Sequence, residues 1–192
     1  EATSSRFFYE TISGVNSAIK ESYNLVVRGI DDYKDFTSVN SKRFDGIILM
    51  SQNNSDNSFI YYLMEKKMPL VVLNRYIDES SIVNILSSDK KGVYEAVNYL
   101  IQNGHKDIAI IEGKKGFNST TERKNGFLDA LIENKIQINS KYIVEGNYTI
   151  GSGYMAMKKL LRLSEIPTAV FCSNDEMAIG AMKATEIGRA HV

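Results

Sequence analysis

The sequence predicts an α/β fold in which parallel sheets are flanked by helices and shared between two lobes. Three observations predict it. Short runs of β-branched and aliphatic residues recur along the chain. Segments with a single apolar stripe at helical spacing lie between most of them, and a Gly-containing polar turn interrupts the alternation near the middle. Strand and helix in alternation require right-handed crossovers, which make neighbouring strands parallel and put helices on both sheet faces.

Taken in order, Phe8, Ile12, Val15 and Ile19 form the apolar stripe of a first helix, and Leu25 to Val27 reads as the strand after it. Ile47 to Met50, Leu70 to Leu73 and Ile82 to Leu86 are further buried strands, the last two joined by residues 74–81 with no room for a helix. Val93, Val97, Leu100 and Ile101 make a helix that ends at Gly104, a residue suited to a left-handed C-cap. The lobe boundary is expected there, giving a first lobe over residues 1–104 and a second over 105–185. In the second lobe, Ile108 to Ile111, Tyr142 to Val144 and Ala169 to Cys172 are strands. Helices carrying Phe127, Ala130 and Leu131, then Tyr154, Met157, Leu160 and Leu161, separate them, and another helix starts at Glu176.

Composition bounds the function. A chain of 192 residues, 43% hydrophobic, can bury a substantial core. Lys+Arg and Asp+Glu balance at 23 each, so no surplus of positive charge is available for a phosphate backbone, and these residues alone are expected to bind DNA poorly. The one cysteine, Cys172, cannot form an internal disulfide and lies in an apolar run; it reads as a buried thiol of a reducing compartment, the cytoplasm. No apolar run approaches the roughly 18 residues that cross a bilayer, so no membrane partner is expected.

Several catalytic readings are weak. Gly151, Gly153 and Ala156 match the G-x-G-x-x-A dinucleotide pattern, with Asp175 at about the right distance. Five residues, Gly146 to Ile150, separate these glycines from the preceding strand, so the required tight turn cannot form and a Gly-rich helix start is the simpler reading. His105, His191 and Cys172 offer no metal-ligand spacing, and no cofactor is expected. His105 reads as a helix-terminus residue whose ring bonds backbone carbonyls. No nucleophile has an evident base, so no enzyme activity is expected.

Polar residues just after strand ends are more telling, because open parallel sheets bind ligands in the crevice there. Ser119 and Arg123 lie one helical turn apart, where a guanidinium can grip two ligand oxygens. Asn174 offers a donor and an acceptor to a hydroxyl, while Asp175, a candidate for the same ligand as an acceptor, reads more simply as the cap of the helix from Glu176. Tyr148 either stacks on a ring or packs its own loop. Asn74 and Arg75 follow one strand and Ser51 and Gln52 another; the latter pair reads equally well as exposed loop.

Five ordered motifs, FDGIILM, NGHKDIAIIEG, STTERKNGFLDAL, YIVEGNYTIGSGYMAM and PTAVFCSNDEMAIGAM, closely resemble the effector-binding core of LacI/GalR transcriptional regulators. The resemblance runs from Ala2 to about Thr185. It implies a periplasmic-binding-protein-like fold of two Rossmann-like lobes, C-terminally truncated, that takes a small-molecule effector, a sugar or other metabolite, in the cleft between lobes. It also places Phe7, Phe8, Ser119, Arg123, Tyr148 and Asn174 on effector-contacting positions. At Asp89 the correspondence is offset: Ser88 aligns with the family's Asp and Asp89 with its Asn, and the residue also reads as an N-cap. The stretch from Gly29 to Arg43 is shorter than its counterpart, so a clipped or irregular second helix is expected.

Members of that family carry a DNA-reading headpiece and hinge before the core and later strands after it. The resemblance therefore implies operator DNA as a partner through a headpiece, and a homodimer. The final residues EIGRAHV fit the family poorly and match a translated sequencing adapter, so residues 186–192 are expected to be non-native. A solute-binding protein of a sugar transporter shares the architecture and is the alternative reading; upstream sequence separates the two.

Overall fold

A computed structural model describes residues 6–189, with side chains through Glu186. The chain divides into two compact units, Glu1–Ser38 and Val39–Val192. In the first, α1 (Arg6–Ile19) forms where the apolar stripe predicts it, and Arg6 pairs with Glu10 one turn on at 2.7 Å. Residues 25–27 do not form the expected strand. They form no regular element and are exposed, Val26 at 54%, and no sheet pairing includes them. An apolar run becomes a strand only where a neighbouring edge accepts its N–H and C=O groups, and these three residues have none. The short stretch after Gly29 holds a single 3-10 turn, Ile30–Asp32, closed by the Gly29 N–H donating to Asp32 Oδ2 at 2.9 Å.

The second unit holds two three-stranded sheets with parallel pairing throughout. The first has the order β1 (Ile47–Met50), β2 (Leu70–Leu73), β3 (Ile82–Ile85). Between β1 and β2 lies α2 (Asn57–Glu65), which the sequence reading did not mark; its buried Phe59, Ile60 and Leu63 carry the missed helical spacing. Parallel strands normally need about a dozen residues to cross over. Residues 74–81 manage with fewer because Asn84 clamps the link: its Oδ1 accepts from the Ile77 N–H at 2.8 Å and its Nδ2 donates to the Ile77 carbonyl at 2.9 Å. One face of this sheet buries Leu49, Leu70, Val72 and Ile82, while Ile48, Val83 and Ile85 on the other are exposed.

The second sheet, order β5 (Ile143–Glu145), β4 (Ile108–Glu112), β6 (Ala169–Cys172), is covered on both faces. Ile108 and Ile110 point into a core with Val93 and Val97 of α3 (Asp89–Gln102) and Phe127, Ala130 and Leu131 of α4 (Asn118–Glu133). Ala109 and Ile111 point the other way, to Met157 and Leu160 of α5 (Ile150–Leu160) and Met177 and Ala181 of α6 (Asp175–Arg189). Burial on both faces is why β4 reads as a continuous apolar run without alternation. Although α3 precedes Gly104, its core is that of the second sheet, so its packing falls beyond the division expected at that residue. Gly104 itself sits at φ 91, in the left-handed C-cap conformation. Residues 190–192, the end of the expected non-native tail and including His191, lie outside the described residues, as does Ala2.

Candidate functional site

The strand exits of the second unit gather polar side chains into three linked groups. At the ends of β1 and β2, Ser51 is fully buried, against the reading of it as exposed loop: it ends a strand whose neighbour covers it. Its Oγ donates to Asp56 Oδ2 at 2.8 Å. Arg75 Nη1 donates to the Asn53 carbonyl at 2.6 Å and to Ser51 Oγ at 3.4 Å, and Nη2 to Asn57 Oδ1. Arg75 thus ties the β2 exit to the β1–α2 loop. Beside it, Asn74 adopts a positive φ of 67, tolerable for asparagine, and its buried Nδ2 lacks a hydrogen-bond partner among the described residues.

The second group surrounds Tyr148, at the β5 exit. The ring lies directly over Gly113; a Cβ there would meet Tyr148 Cζ at 2.0 Å, so only glycine fits. Its hydroxyl shares hydrogen bonds with Thr120 Oγ1 at 2.7 Å and Ser119 Oγ at 3.1 Å, and Phe117 stands 5.9 Å away, ring centre to ring centre. Tyr148 has φ 69, a costly conformation for an aromatic residue that persists only where its surroundings over-determine it. Here they do, because its carbonyl also accepts from Asn174 Nδ2 at 3.0 Å.

The third group joins the β6 exit to the start of α3. Arg123 Nε and Nη2 donate to Asp89 Oδ1 at 2.9 and 2.8 Å, and Nη1 donates to the Ser173 carbonyl. Both side chains of this pair are largely buried, at 25% and 17% exposure. Two capping expectations need correction. Asp89 is the first residue of α3 and Ser88 its N-cap; the Asp89 carboxylate turns to the guanidinium, a stronger partner than backbone N–H. Likewise Asn174, not Asp175, caps α6, its Oδ1 accepting from the Met177 N–H at 3.0 Å, so the helix begins one residue earlier than Glu176.

Around this third group lies an open cleft of about 410 Å³ whose walls include Ser87, Ser88, Asp89, Arg123, Asn174 and Asp175. Cys172 lines it as a half-buried thiol whose pKa burial pushes up to about 11. Asp89, Arg123, Asn174 and Asp175 therefore converge on one cavity, and Ser119 and Tyr148 join it through Asn174. Asn74 and Arg75 sit at the exit of the other sheet. Phe7 and Phe8 lie on α1, in the first unit. Thr120 and Ser173, not singled out from sequence, complete these networks; a threonine next to the chosen Ser119 was the available signal.

The remaining chemistry is structural. His105 Nδ1 bonds the Thr168 hydroxyl at 3.0 Å instead of a carbonyl, because the turn brings it to the start of β6. Gly153 of the dinucleotide-like pattern is a helix contact: a Cβ there would meet the Met177 carbonyl oxygen at 2.1 Å, and one at Gly180 the Ile150 oxygen at 2.0 Å, so α5 and α6 cross at paired glycines. Among the described residues no three His, Cys, Asp or Glu side chains converge as a metal site would require.

The chain is similar in sequence to HTH-type repressors and in fold to solved regulators. The probable HTH-type transcriptional repressor ExuR of Bacillus subtilis (strain 168) is 62% identical over 182 residues, covering 95% of this chain and 55% of the relative. The HTH-type transcriptional repressor PurR of Proteus mirabilis is 34% identical over 194 residues, covering 96% and 57%. This chain thus spans little more than half the length of either. A sugar-binding transcriptional regulator of the LacI family from Escherichia coli, crystallised with phosphate, superposes with TM-score 0.79 at 28% identity, covering 93% of this chain and 66% of that one. A LacI regulator from Bacillus cereus subsp. cytotoxis gives TM-score 0.84 at 28% identity, covering 97% and 68%. Residues 3–190 match the family model of periplasmic binding proteins and the sugar binding domain of the LacI family, and the chain belongs to that family.

Proposed function

We propose that this chain is the effector-sensing core of a LacI/GalR-type transcription regulator, binding a sugar or similarly hydroxylated metabolite without transforming it. The observation that carries the reading is the convergence of Asp89, Arg123, Asn174 and Asp175 on one open cleft at a strand C-terminal end. The cation there is already matched by the carboxylate of Asp89, and the carboxylate of Asp175 lines the same cleft, so the cleft favours a ligand read through hydroxyl hydrogen bonds over one held by net charge. Arg123 retains part of its N–H fork for such a ligand, and Ser119, Tyr148, Asn74 and Arg75 supply further donors and acceptors from neighbouring strand exits.

In this reading β1 to β3 belong to one lobe, α3 and β4 to β6 to the other, and ligand shifts the balance between two lobe arrangements. Operator DNA is bound by a headpiece outside this chain, in a homodimer, in the cytoplasm. The relatives named as HTH-type repressors support that assignment. No helix among the described residues is long and apolar enough to cross a membrane. Calorimetry of the full-length protein against sugars, nucleobases and amino acids tests the reading: heat is expected with at least one sugar and lost in Arg123→Ala. Silence across the panel rejects it.

A further inference from the structure

The two sheets of the second unit meet at a polar contact between a strand exit and a helix start. The Asn118 N–H donates to the Gln52 carbonyl at 2.9 Å, and Ser119 Oγ donates to Gln52 Oε1 at 3.4 Å. Gln52 follows β1 of the first sheet, while Asn118 is the first residue of α4, which packs on the second. An N–H at that position has no acceptor within its own helix, so the first-sheet loop supplies the one it needs. From Ser119 the hydrogen bonds continue to the Tyr148 hydroxyl, and through the Tyr148 carbonyl to Asn174, the cap of α6 on the cleft wall.

The geometry points to Gln52 and the N-terminus of α4 as a latch that holds the two sheets in the closed arrangement and sets the ratio of closed to open forms before any ligand binds. The inference rests on the reading of the two sheets as lobes that move. In an open form both groups return to water, so the latch is worth the modest net strength of one exchanged hydrogen bond, a bias of roughly two- to tenfold. A bias of that size is small enough for a ligand's differential affinity for one arrangement to outweigh it.

One substitution removes the bond without disturbing the helix. Proline is well tolerated at a first helical position, and Phe117 before it already has φ −82 and ψ 136, the region a residue preceding proline adopts. Asn118→Pro therefore deletes the donor, while Asn118→Ala keeps it. The full-length protein would carry nitroxide labels at exposed Tyr61 on α2 and Tyr99 on α3, in a Cys172→Ala background, and distances would be read by pulsed electron spin resonance without ligand. Asn118→Pro is expected to move the closed-to-open ratio roughly two- to tenfold toward the longer distance, with Asn118→Ala like the parent. Gln52→Ala, which loses only the longer contact, is expected to shift it less in the same direction. Unchanged distributions in Asn118→Pro and Gln52→Ala overturn the latch, as does an equal shift in Asn118→Ala. If the parent populates both distances while those variants leave their ratio alone, lobe motion survives and only the latch fails. A single distance in every variant, unmoved by saturating sugar that calorimetry shows to bind, refutes both.

Discussion

Truncating Arg123 to alanine should destabilise the fold as well as the site. The substitution deletes two hydrogen bonds to Asp89 and one to the Ser173 carbonyl. It leaves the Asp89 carboxylate, 17% exposed, without its counter-ion. Breaking one side of a fully buried pair costs about 3–5 kcal/mol. Residual solvent access at this pair lowers the expectation to about 2–4 kcal/mol. Urea unfolding of the full-length protein reads the loss as a lower midpoint at unchanged slope. In Asp89→Leu/Arg123→Ala the stranded charge is gone, so the double variant should be more stable than Arg123→Ala alone. A loss below about 0.5 kcal/mol for Arg123→Ala, or strictly additive losses in the double variant, would show that the pair is not a coupled, desolvated ion pair.

Three further outcomes follow from the packing around the cleft. Gly153→Ala forces a Cβ against the Met177 carbonyl and should cost about 1–3 kcal/mol in thermal or urea unfolding, whereas Gly151→Ala, with nothing within 4 Å, should be neutral or stabilising. Equal losses at the two glycines would favour a shared backbone role of the dinucleotide kind. Asn174→Ala removes the α6 cap and should cost about 0.5–2 kcal/mol, checked by the same unfolding curves. Burial keeps the Cys172 thiol protonated, with a pKa raised from 9.0 to about 11. A raised folded-state pKa gives stability that is fully present below pH 9.0 and lost as pH climbs toward about 11, so unfolding midpoints should fall across that window in the parent and stay flatter in Cys172→Ala.

Much of this architecture was legible because the second sheet is buried on both faces: Ile108 to Ile111 cannot be anything but a central strand when every residue is enclosed. The expected strand at residues 25–27 carries the same kind of apolar residues, yet stays exposed, because composition records the wish for burial and not the presence of an edge to pair with. Helix α2 escaped notice for the opposite reason. Phe59, Ile60 and Leu63 give a stripe of barely two turns, too short to stand out from the polar residues before it. In the site, the sequence placed Ser119, Arg123, Tyr148 and Asn174 near strand exits but could not say what each would hold. Arg123 chose Asp89, across 34 positions of chain, and Asn174 took the cap assigned to its neighbour. Gln52 and Ser51, which read equally well as crevice-facing polar groups and as exposed loop, are a contact between the sheets and a fully buried hydroxyl, roles fixed by partners distant in sequence.

If this core senses a small molecule on behalf of a DNA-binding domain, as proposed, operator affinity must respond to that molecule. Fluorescence anisotropy of the full-length protein on labelled DNA from upstream of its own gene should be titrated with and without the sugar that gives calorimetric heat. A coupling of about 1–3 kcal/mol predicts that the sugar changes the DNA dissociation constant roughly 5- to 150-fold in one direction, and that the change is lost in Arg123→Ala. Superimposable titration curves with saturating sugar and without it would contradict the claim.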